Sequence, residues 1–239
     1  LNHLFSITLV ADFSYLTSDN ANIDNVQTRV EVLWRTLVAD TFNAQHPAPP
    51  ECGKQFLAHV SSMVLKAFNE YKYGTKEKSL KDRLSGRMHA FLYQNFNRSI
   101  KEKKIAPLIK LFDSEPPTSC YGSETFIQSL DEVGGIYKSE PGGLGLGDWA
   151  RPFEAFRQEL GITFASRLLF RTDTGLLGVG PLELDIGAEV WILAGANTPA
   201  VLREGSTGKK QFLGEAYVHG VMHGEALELG LDFDDIILE

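Results

Sequence analysis

From Arg167 onward the sequence is cut by turn signals so often that no crossover helix fits between its apolar runs. Runs rich in branched and aromatic residues occupy 168–172, 176–179, 189–193, 200–203 and 211–218. They are separated by Thr174-Gly175, Asp185-Ile186-Gly187, the stretch from Gly195 to Pro199, and Ser206-Thr207-Gly208-Lys209-Lys210. Each run has the length of a strand, and each break carries glycine or a short polar side chain that bonds its own backbone. Parallel neighbours need connections of a dozen residues or more, so these strands must pair antiparallel. The expectation is a small β barrel or sandwich, with Trp191 and Tyr217 contributing much of its packing area.

The first half has a different period. Val26, Val30, Leu33, Trp34, Leu37 and Val38 recur at three- and four-residue spacings, which predicts an amphipathic helix over 24–39 with Asp24 as N-cap. His46-Pro47-Ala48-Pro49-Pro50 stops it, and the chain is expected to resume helix no earlier than Cys52. Phe56, Val60, Met63, Val64, Ala67 and Phe68 predict a second helix over 54–71; Leu84, Met88, Phe91, Leu92 and Phe96 predict a third over 80–97. Such stripes are the core of a helix bundle rather than a cofactor box. Residues 114–148, rich in Pro, Ser and Gly, read as a surface loop or linker. They end in Gly142-Gly143-Leu144-Gly145-Leu146-Gly147, which matches neither G-x-G-x-x-G nor a Gly-Lys-Ser/Thr ending, so a nucleotide cradle is not expected. Phe153, Phe156 and Leu160 predict a short helix over 149–160 that docks the β part onto the bundle. The fold class is therefore α+β: a helical region over 1–160 and a small antiparallel β-barrel-like domain over 161–239.

At 43% hydrophobic and 23% charged residues, the chain has the make-up of a folded globular protein. No uninterrupted apolar run is long enough for a membrane helix and the start lacks a basic leader, so a cytoplasmic protein without membrane partners is expected. The first residue is Leu rather than Met, and the natural start is expected upstream. A net charge of −8 argues against a phosphate-neutralising surface and hence against nucleic acid. Lys76-Glu77-Lys78 and Lys101-Glu102-Lys103-Lys104 read as solvated helix faces. Cys52 and Cys120 fit no disulfide framework or zinc spacing and are expected as free thiols, Cys52 near a helix start where a thiol pKa can fall.

One segment has the residue types for chemistry. His219, His223 and Glu225 lie close together, and on a helix the two imidazoles would share a face, with Glu225 as third ligand or base. A metal-dependent hydrolase is the enzyme reading of that trio. Against it, Tyr217-Val218-His219 reads as strand, and Gly220 and Gly224 punctuate the residues after it. The preferred reading has no catalytic, cofactor or metal residue, with Glu225 accepting backbone N–H groups at a turn. There is no G-x-S-x-G elbow and no cofactor is expected. A third reading is a β barrel that binds a peptide or small ligand.

The order of motifs resembles fungal heterokaryon-incompatibility (HET domain) proteins downstream of their HET core. Thr172-x-x-Gly175-x-x-Gly178-x-Gly180-Pro181, then Glu189-Val190-Trp191-Ile192-Leu193, then Gly214-Glu215-Ala216-Tyr217-Val218-His219-Gly220 and Gly224-Glu225-Ala226 match the family's sequence of motifs. Residues 29–41, RVEVLWRTLVADT, are similar to the helix that lies after the core, and PAPPECGKQF to the segment beyond it. The core's own opening and closing motifs are not found, so the core would be upstream or absent, and an upstream HET core or other protein partners are expected. The resemblance implies a non-catalytic regulatory or scaffolding portion of a protein of self/non-self recognition and programmed cell death. The family pattern often carries Asp at the position of His223, which implies that a metal ligand is not required there.

Overall fold

The computed structural model describes residues 27–72, 111–116, 119–139, 153–205, 208–228 and 233–239. The expected helix at 80–97, both lysine-rich segments, the glycine run at 142–147 and Asp24 lie outside them. Helix α1 (Arg29–Leu37) is capped by Thr28, whose side-chain oxygen accepts from the Glu31 N–H at 3.2 Å. The cap thus lies four residues after the one expected at Asp24, because Thr28-x-x-Glu31 supplies a capping register of its own. Helix α2 (Pro50–Lys72) begins at Pro50 instead of after Cys52. The first turn of a helix has no partner for its N–H groups, so a proline there costs nothing and its fixed φ favours the start.

The largest correction falls within 114–148, where a linker was expected and helix α3 (Ser123–Ser139) forms. Phe126, Leu130 and Val133 are buried at helical spacing and join the core built by α1 and α2. Their burial outweighs the helix-weakening Gly134-Gly135 pair, each glycine costing about 1 kcal/mol relative to alanine. Phe112 stacks on Phe126 at 4.2 Å between ring centroids. Helix α4 (Glu154–Thr163) lies a few residues later than the 149–160 expected, and drives Phe156 against Phe56.

Among the described residues the β part has six strands: β1 (Arg167–Arg171), β2 (Leu177–Pro181), β3 (Glu189–Trp191), β4 (Ala200–Glu204), β5 (Lys210–Glu215) and β6 (Tyr217–Val218). They make two antiparallel three-stranded sheets, ordered β1-β2-β6 and β3-β4-β5. The expected run at 211–218 is split at Ala216, whose N–H makes the last bond beside β4, to the Pro199 carbonyl at 2.9 Å, before Tyr217 pairs with β2. The chain thereby passes from one sheet to the other at a corner. Among the described residues the sheets do not close into a ring, so the antiparallel, barrel-like expectation holds for the pairing and not for closure. The hairpin turn 172–176 and the break before β3 use Gly175 and Gly187, both at φ 95°, where a Cβ would be strained.

The two layers share packing. Leu177 of β2 belongs to the same buried cluster as Trp34, Phe56 and Phe156, while Val201, Ala216 and Val218 form a smaller one within the β part. Polar ties hold α4 to the other helices: Glu159 Oε1 accepts from the Asn43 N–H at 2.8 Å, and Gln55 Oε1 from the Phe156 N–H at 3.1 Å.

Candidate functional site

The three residues singled out by sequence take different roles in space. The His219 N–H continues the β2–β6 ladder to Leu177 O at 2.9 Å, and the side chain is buried. Nε2 lies 2.6 Å from Gln27 Oε1, an acceptor, so Nε2 carries the proton; Nδ1 then accepts from the Tyr217 hydroxyl at 2.8 Å. Both ring nitrogens are occupied, and burial pushes the pKa down to about 4, leaving a neutral imidazole. Burial likewise pushes the Tyr217 hydroxyl's pKa upward, keeping it protonated to donate.

His223 stands on the exposed turn between β6 and helix α5 (Glu225–Glu228), not on a helix. The spacing of four therefore does not place the two imidazoles on one helix face. Glu225 Oε2 accepts the His223 backbone N–H at 2.7 Å, the turn-closing role expected for it. His223 turns instead toward residues more than 170 positions earlier. Its ring lies 5.4 Å from that of His46, and one donor atom each of Asp40, His46 and His223 lie within 4.8 Å of one another.

Asp40 and His46 are placed by the connection between α1 and α2. Arg35 is buried at the end of α1 and reaches forward: its Nη1 donates to Asp40 Oδ1 at 2.5 Å and to Ala48 O at 2.8 Å, while Nε bonds Glu31 Oε1 at 2.8 Å. The Ala48 N–H also bonds Asp40, through its carbonyl at 2.9 Å and Oδ1 at 3.2 Å. His46 Nδ1 lies 3.0 Å from the Asp40 carbonyl oxygen, which can only accept, so the ring proton sits on Nδ1 and Nε2 presents its lone pair. No local motif marks Asp40 or His46, since nothing in their spacing points to position 223.

Burial governs the thiol nearest this site. Cys52 sits in the first turn of α2, yet burial pushes its pKa up to about 12, against the expected lowering by a helix start. Cys120 is a free exposed thiol. No described helix is long and apolar enough to cross a membrane.

With this geometry in place, comparison with known proteins bears on α4, both sheets and the His223 turn. Residues 154–231 match the Het-6 beta-barrel domain. That domain occurs in fungal heterokaryon incompatibility proteins, and the match covers the motifs from Thr172 to Ala226 but not the similar segments at 29–41 and 47–56. It takes in α4, all six strands and α5. No curated protein and no solved structure matches the chain.

Proposed function

We propose that the chain is the regulatory or scaffolding portion of a fungal HET-type protein, acting in self/non-self recognition and incompatibility cell death in the cytoplasm. The observation that carries this reading is the Het-6 beta-barrel match at 154–231. The arrangement of His219 supports a non-catalytic role for that residue, because its two nitrogens are consumed by Gln27 and Tyr217. The β part also exposes Leu182, Ile186 and Phe212, apolar side chains suited to contact with a protein such as a HET core.

The test uses a fungal strain pair in which the complete protein elicits incompatibility. Ile186→Asp and Phe212→Asp are made together, leaving the buried clusters untouched. The expected result is normal accumulation of the protein with loss of the growth arrest and death that come after cell fusion. An unchanged reaction in that variant, and also after removal of 154–231, would overturn the assignment.

A further inference from the structure

We propose that Asp40, His46 and His223 bind one divalent transition cation of the zinc type, clamping the α1–α2 connection to the β6–α5 turn. The site goes beyond the incompatibility reading and does not depend on it. Two segments far apart in the chain bring the donors together, within 4.8 Å of one another. Tetrahedral ligands about 2.0–2.2 Å from zinc stand roughly 3.3 Å apart, so closing the site takes a modest inward turn of the side chains. His46 and His223 are both exposed and on turns, with room to make it.

Proton positions suit a cation. The Asp40 carbonyl holds the His46 proton on Nδ1 and leaves Nε2 as a ligand, the same outer-shell arrangement that orients histidines in metal sites. Arg35 and the Ala48 N–H both bond Oδ1 of Asp40, which leaves Oδ2 for the cluster. The Arg35 charge opposes a nearby cation, but Glu31, 2.8 Å away on its other side, offsets it. Two imidazoles and a single carboxylate select zinc and its borderline neighbours; magnesium and calcium require a shell of oxygens. Three protein ligands leave a fourth position for solvent or a side chain of a partner.

The test is a zinc titration of the complete chain after chelator treatment, read by calorimetry and by the thermal midpoint. One equivalent is expected to bind and to raise the midpoint, since the cation joins segments that separate on unfolding. His46→Ala and His223→Ala should each weaken binding at least tenfold, and the double variant should abolish it, with metal-free midpoints close to the unsubstituted protein. His223→Asp should retain weakened binding, because a carboxylate still coordinates. Cobalt should give the visible absorption of a tetrahedral centre, lost in Asp40→Asn; if that variant does not fold, the double histidine variant decides. Magnesium should not bind. Absence of a stoichiometric zinc site, or equal zinc binding by the double histidine variant, would overturn the proposal.

Discussion

At the residue scale, equal chemistry has unequal weight because burial differs. Trp34 is completely buried, whereas Trp191 is half-buried on β3 with its indole N–H donating to Glu189 Oε2 at 2.6 Å. The sequence predicts both as structural; only Trp34 sits in the main core. Trp34→Ala should cost about 3–5 kcal/mol and Trp191→Ala clearly less, measured as the difference in urea midpoints. Similar losses at the two positions would contradict the packing. Gly53 is a small residue with a large role. The Tyr121 ring lies where a Cβ would project from Gly53, with its Cε1 and Cζ only 2.7 Å from that position. Gly53→Ala should therefore displace Tyr121 and destabilise the protein by about 1–3 kcal/mol, the range for overpacking a filled site. Glu225 moves the other way: its bond to His223 is exposed, so Glu225→Ala should cost less than the roughly 1–3 kcal/mol of an unsatisfied buried donor.

At the element scale, α3 shows where local composition misleads. Ser, Gly and Pro around it look like a linker, yet Phe126, Leu130 and Val133 hold the helix against α2, and Ser129 accepts a hydrogen bond from Ser61 at 3.0 Å. Among the described residues Gly135 has open space, since a Cβ there meets nothing within 4 Å. Gly135→Ala should raise stability by about 1 kcal/mol by restricting the unfolded chain and improving helix propensity. A thermal midpoint that fails to rise would show that α3 does not hold this helical conformation. Strand limits, by contrast, track the turns closely: the five expected runs are found within a few residues, and only the Ala216 corner divides one of them.

At the scale of the whole molecule, two buried histidines make stability depend on pH. His59 lies against Phe153 and Phe156, and burial first, then the Arg157 charge, pushes its pKa down to about 4; burial does the same to His219. Unfolded histidine titrates near about 6.5, so between these values the unfolded chain binds protons that the native state refuses. Their contribution is complete above about pH 6.5 and is lost as pH falls toward about 4. Denaturant midpoints should decline across that window, and His59→Leu, which removes one of the two sites, should flatten the decline. Among the described residues His59 Nδ1 has no hydrogen-bond partner, so the substitution also removes a buried polar cost.

What the sequence by itself determined is local: the period of the apolar residues, the glycine and proline breaks, and hence helices before strands and antiparallel pairing. These depend on neighbours a few positions apart, which a linear pattern records. The division into two sheets, the α3 packing and the fate of each histidine depended on distant residues. His219 and His223 look alike in sequence, but the β6 ladder turns one inward to Gln27 and the next turn leads the other out to His46. Only the tertiary structure decided that separation, because burial and convergence are set by which segments meet, and no spacing within a single segment encodes it.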